Sequence, residues 1–156
     1  MASPTTPADV LGSRVARDLL CSRVPARLAY SGRDTTPRVL PIWFHWNGET
    51  LVLASRADAP KMAAIRGQPS VAITIDTERP PYRLLQLRGR AEVQIVDGIV
   101  AEYELAAERY YGERVGRLWI ERMRAVTGRM ARIEVTPTWA RMFDVGALFP
   151  ESRGLD

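Results

Sequence analysis

One histidine, His45, one cysteine, Cys21, and one lysine, Lys61, set narrow limits on the chemistry this chain can perform with its own side chains. A zinc cluster or a two-histidine metal site needs more ligands than these, so no metal is expected. Neither a CxxC pair nor a GxSxG nucleophile elbow occurs. The carboxylates Glu102 and Glu104 fall in a charged helical stretch, where exposure to solvent explains them better than paired acid–base work. If the protein is an enzyme, a bound cofactor must supply most of the reactivity.

Lys61 is the only lysine among 22 basic residues. Either a GC-rich coding sequence has turned nearly every solubilising cation into arginine and Lys61 is incidental, or an ammonium is specifically needed there; both readings stand at this point. Arg83, Arg88 and Arg90 with nearby Tyr82 raise a nucleic-acid surface, but a net charge of only +4 does not favour that partner. The opening MASPTTPADV has neither the basic nor the apolar region of a secretory signal. No apolar run approaches the roughly 20 residues that cross a bilayer, and a soluble, cytoplasmic protein is expected.

The elements that must position these residues follow from periodicity. Residues 1–7 are Ser/Thr/Pro-rich and expected to be a disordered tail, and 8–156 to form one domain. Val10, Leu11, Val15, Leu19 and Leu20 recur at helical spacing. Strands are expected over 27–30, over the aromatic stretch 39–46, over 51–54 after the Asn47-Gly48 hairpin turn, and over 71–75. A brief helix lies around 61–66. Beyond Pro80-Pro81, alternation from Leu85 to Ile95 predicts a long strand bent at Gly89. Two helices separated near Gly112 and strands over 131–135 and 139–143 complete a mainly β, α+β fold: an antiparallel barrel with a few peripheral helices.

The segments RVLPIWFHWNGETLVLAS (38–55), Lys61 before its helix, QPSVAITI (68–75) and PPYRLLQLRGRAEV (80–93) together resemble the pyridoxamine-phosphate-oxidase-like split β-barrels, most closely the branch of flavin- and deazaflavin-dependent reductases. The resemblance covers roughly residues 20 to 145. It implies a homodimer with an FMN or deazaflavin (coenzyme F420) cofactor at the subunit interface. By position it assigns the cofactor phosphate to Ser55, Arg56 and Lys61, with Arg38 as a further contact. A hydroxyl, a guanidinium and an ammonium beside a helix start agree with an anion site. Pro41 and Trp43 fall on the cofactor-binding strand. Tyr82 and Arg83 become candidates for the mouth of the substrate pocket, and the aromatic segment 139–149 for contact across the dimer.

Trp43, Phe44 and Trp46 could wall a flat ring. Strand alternation puts Trp43 and His45 on one face and Phe44 and Trp46 on the other, so one face is expected to be core. Two departures matter: Trp43 stands where the phosphate oxidase carries a basic residue, and Leu84 where it carries a flavin-contacting glutamine. The resemblance therefore implies an oxidoreductase moving hydride to or from a small organic substrate, and not a true pyridoxamine-phosphate oxidase. The alternative on the same fold is a non-catalytic protein that binds or sequesters the cofactor.

Overall fold

The computed structural model of the protein describes residues 6–148. Of the tail expected to be disordered, residues 1–5 lie outside this span. Thr6 and Pro7 instead begin a helix: Thr6 and Asp9 form a reciprocal capping box and Pro7 takes the first turn, where its missing N–H costs nothing. Ser13 ends that helix, α1 (Pro7–Gly12), and caps the next, α2 (Arg14–Leu20), so the single helix expected here is two short ones.

Seven antiparallel strands follow, in the chain order β1 (Ala26–Ser31), β2 (Pro37–Ile42), β3 (Phe44–Trp46), β4 (Leu51–Arg56), β5 (Ser70–Asp76), β6 (Arg83–Asp97) and β7 (Arg129–Asp144). Helix α3 (Lys61–Gly67) links β4 to β5; α4 (Ala101–Tyr111) and α5 (Glu113–Val126) link β6 to β7; α6 (Val145–Leu148) follows β7. No helix among the described residues is long and apolar enough to cross a membrane.

In space the strands run β2-β1-β5-β6-β7-β4-β3. The two edge strands, β2 and β3, are consecutive in sequence and separated by Trp43 alone. One residue cannot span an open sheet, so the edges are brought together and the sheet curls into a barrel. The strand expected over 39–46 is therefore broken at Trp43, because β2 pairs with β1 and β3 with β4. The barrel is split at this seam, across which no ladder runs among the described residues.

Gly89 does what its position promised. Its neighbour across β6–β7 is Pro137, while Arg88 faces Trp139, so Thr138 is left over as a bulge. That bulge carries β7 past Pro137 as one strand where two were expected. A Cβ on Gly89 would sit 2.3 Å from the Thr136 carbonyl oxygen, which explains the residue.

Alternating residues of the strands fill the barrel: Leu28, Phe44, Leu51, Leu53, Ile73, Ile75, Leu85, Leu87 and Ile133 are almost wholly buried. Leu19 and Leu20 of α2 and Ile65 of α3 plug its ends, and among the described residues no polar side chain is buried with them.

Outside the barrel, Arg132 ties α4 to β7. Its Nε and Nη2 donate to Glu102 Oε1 at 3.0 and 2.7 Å, and Nη1 donates to Glu134. Arg132 hydrogen bonds hold both carboxyls below their ordinary value, Thr50 assisting at Glu134. Since folding lowers these values, the stabilisation is present above about pH 4.5 and is lost as pH falls through the folded-state values. Chemical denaturation of the protein should show its midpoint falling from pH 5 to pH 3, and Arg132→Met should flatten that slope. An unchanged slope in the variant would remove this network as its source.

Candidate functional site

Strand alternation decides where the predicted phosphate ligands go. In β4, Ser55 continues the inward row of Leu51 and Leu53, while Arg56 continues the outward row of Val52 and Ala54. Ser55 is half-buried opposite Ala131. Arg56 is exposed, is held by Asp58 through bonds of 3.0 and 2.6 Å, and lines a cleft under the end of α5. The cluster expected of Ser55, Arg56 and Lys61 is thus divided, because neighbours on a strand point to opposite faces.

Lys61 opens α3 and shares a different cleft, of about 340 Å³, with Tyr30, Arg33, Asp34 and Arg38. Burial pushes its ammonium below the ordinary lysine value, and Asp34, the carboxylate lining the same cleft, is bonded to Arg38 and Thr36 instead. Arg38, on the inward row of β2, is aimed by the turn between β1 and β2. Its Nη2 donates to Asp34 Oδ2 at 2.9 Å and its Nη1 to Thr36. Thr36 hydrogen bonds, then Arg38, hold the Asp34 carboxyl down to about 2. Gly32 makes this turn possible, since a Cβ there would lie 2.6 Å from Asp34 Oδ1. The cleft therefore offers three cations: the Lys61 ammonium, Arg33, and an Arg38 guanidinium already shared with Asp34. Pro60 supplies no side-chain cap to α3, and at seven residues the helix adds little dipole to the site.

Pro41 lies on the opposite, outward row of β2 with Val39, which is 70% exposed. Trp43 faces outward at the seam and stacks on Tyr110 (centroids 4.9 Å apart, planes at 13°) and on Tyr103 (5.6 Å, 27°), with Tyr111 and Trp119 against its edge. Trp119 Nε1 donates to the Tyr103 hydroxyl at 3.0 Å. Phe44 is core and Trp46 packs against it, so the face carrying Phe44 is the interior one. Trp43 fastens the α4–α5 pair to the barrel and lines none of the clefts described here.

His45, on the same outward face, is pushed below its ordinary value by burial and then by the Arg109 charge, and is neutral at pH 7. Arg109 lies over the rings of Phe44 and Tyr110, at 4.6 and 4.8 Å, and donates to the Phe44 carbonyl. No pattern in the sequence singled out Arg109 or Tyr103; Tyr110 and Trp119 were visible only among the apolar residues of two helices.

Tyr82 is half-exposed, and its carbonyl accepts from the Val145 N–H at 2.9 Å. Arg83 lines a cleft of about 580 Å³ with Arg23, Val24, Arg79 and the cis Pro80-Pro81 turn. It faces Asp144 at 3.7 Å and Asp18 at 4.0 Å, so its charge is answered by two carboxylates. This cleft is separate from that of Lys61, which does not place the two candidate groups side by side within one chain.

The fold has many counterparts among solved structures. An F420 reductase superposes with a TM-score of 0.63 at 29% identity, over 80% of this chain and 94% of its own. A conserved hypothetical protein from Mycobacterium tuberculosis superposes at 0.67 with 20% identity, over 93% and 92%. HutZ, the heme storage protein from Vibrio cholerae, superposes at 0.58 with 17% identity, over 82% and 90%. Among curated proteins, none matches the chain. The sequence profile of pyridoxamine 5'-phosphate oxidase matches residues 14–144, which takes in every strand and the Arg33, Arg38 and Lys61 cations of the Lys61 cleft. With that match over most of its length, on an antiparallel split barrel, the chain belongs to the pyridoxamine 5'-phosphate oxidase family.

Proposed function

We propose that the protein binds a flavin-type cofactor, FMN or the deazaflavin coenzyme F420, with the cofactor phosphate at Lys61 and Arg38. The observation that carries this reading is the half-buried ammonium of Lys61, which shares its cleft with the Arg38 guanidinium while Asp34, the carboxylate lining that cleft, is already bonded to Arg38 and Thr36. A phosphate supplies the missing charge and accepts from both cations. Ser55, at the inward end of β4, is the nearest of the other family positions in character: a neutral hydroxyl donor. Arg56 is left out of the phosphate site by its orientation.

When bound, such a cofactor supplies hydride chemistry. The protein's own part is to hold the phosphate, orient the ring and keep water away. Burial and the nearby Arg109 charge both disfavour the protonated form of His45, which argues against it as a proton donor. Trp43 and Leu84 in place of polar family contacts argue against pyridoxamine phosphate as substrate, and a small unsaturated organic molecule is the proposed one. The F420 reductase likeness supports this reading, while the heme storage protein shows what a binding protein on the same fold looks like. Titrating the purified protein with FMN and with coenzyme F420, each followed by absorbance, tests it. Saturable binding of one supports the reading, and binding of neither removes it. Turnover with the reduced cofactor then separates a reductase from a sequestering protein.

The cofactor site is proposed to be completed by a second copy of the chain. Val39 and Pro41 form an exposed apolar row on an edge strand, and Phe143 and Leu148 are 43% and 60% exposed. Such patches mark contact surfaces. Phe149, expected to join them, lies outside the described residues. A ligand held by both chains favours the dimer by mass action. Sedimentation at micromolar protein should show a dimer that resists dilution better with cofactor bound. A monomer that binds cofactor tightly would overturn the shared site.

A further inference from the structure

The largest opening among the clefts described above is the one that Arg56 faces, about 720 Å³, enclosed by the end of β4, the last turn of α3, the end of β6 and the α5–β7 turn. Three guanidinium groups line it: Arg56, Arg66 and Arg129. Asp58 is the one carboxylate among its lining residues, and it is already committed to Arg56 through two hydrogen bonds. Arg66 and Arg129 have no ion pair among the described residues, although Asp97 is the cross-strand neighbour of Arg129. The remaining wall is apolar: Ile95, Met123 and Val126, the last 80% exposed.

An opening of this size falls in the range of small-molecule sites, about 300–1,000 Å³. Arginines in excess over carboxylates select an anion, and guanidinium forks suit carboxylate, sulfonate and phosphate groups. An exposed valine and a half-buried methionine beside them would be wasted on inorganic phosphate but are covered by a ligand with an apolar body. In the cleft of Arg83, by contrast, Arg83 itself is answered by Asp18 and Asp144, and the lining carboxylate Glu78 is not committed to any arginine among the described residues. We infer that the Arg56–Arg66–Arg129 cleft is a second binding site, separate from the Lys61 cleft, for an amphipathic organic anion with its charged group among the arginines and its body on Met123 and Val126.

The inference does not depend on the cofactor reading, and the test keeps the two apart. The full chain is titrated calorimetrically with 8-anilinonaphthalene-1-sulfonate, an aromatic body bearing one sulfonate. The wild-type protein should show one saturable site. The Arg66→Ala/Arg129→Ala double variant should bind about tenfold or more weakly, from the loss of charge-assisted contacts. Asp58→Asn frees Arg56 and should bind several-fold more tightly at unchanged one-site stoichiometry and thermal midpoint, which separates the gain from dye binding by a partly unfolded chain. Lys61→Ala should bind as wild type does. That combined pattern supports the second site. Absence of saturable binding, no gain in Asp58→Asn, no loss in the double variant, or an equal loss in Lys61→Ala each overturns it.

Discussion

Gly89→Ala is expected to lose about 3 kcal/mol of stability, near the upper end for overpacking by a single group. The added Cβ would stand 2.3 Å from the Thr136 oxygen and 3.0 Å from the Thr136 carbonyl carbon and Val135 Cγ1. Nothing there can step aside cheaply, because β7 is hydrogen-bonded to β6 on one side and, through Val135, to β4 on the other. For a chain of this length the loss should lower the thermal midpoint by roughly 10 °C. Gly67→Ala is the control: its Cβ would meet nothing within 4 Å, and in a helix alanine is the better residue. Equal midpoints for the two variants would show that the bulge tolerates a side chain and that the close approach is not what fixes Gly89.

Lys61→Ala should weaken cofactor binding by one to two orders of magnitude, about 1.5–3 kcal/mol for a hydrogen bond to a charged group. The thermal midpoint without cofactor should hardly move. Lys61 makes no ion pair among the described residues, and burial already disfavours its charged form, so the folded chain gives up little when the ammonium goes. Arg38→Ala should cost less affinity, because Asp34 already shares that guanidinium. The split between affinity and stability is the diagnostic feature. A Lys61→Ala protein with undiminished affinity for both FMN and coenzyme F420 would take the phosphate away from this cleft. One that unfolds at lower temperature by several degrees would make Lys61 a structural residue.

Much of the barrel was legible because its signals are local. The Asn47-Gly48 turn, the alternation from Leu85 to Ile95 and the break at Gly112 each depend on a few adjacent residues, and each appears where expected. The seam at Trp43 was not, because an unbroken apolar run carries no sign that its halves pair with different strands. Strand parity sorted the aromatic residues into Phe44 and Trp46 on the inner face and Trp43 on the outer. The same parity applied to Ser55 and Arg56 would have separated them, but the family pattern grouped them by sequence position. Arg66 and Arg129 could not be found in this way. They lie 63 positions apart and line one cleft only because β7 begins its course beside α3.

The strand order also dictates when this barrel can exist during synthesis. β7 lies between β6 and β4, and among the described residues no other strand bridges them. Until residue 129 has left the ribosome, the chain can form at most two separate pieces, β2-β1-β5-β6 and the β3–β4 hairpin, each with an unsatisfied edge. The longest ladder in the molecule, Arg83–Asp97 against Arg129–Asp144, is the step that joins them. Such late, non-local pairing is slow and leaves strand edges open to other chains. The α4–α5 pair, which forms from local contacts and precedes β7 on the chain, is the segment that spaces the two halves of that ladder while the nascent protein waits for its last strand.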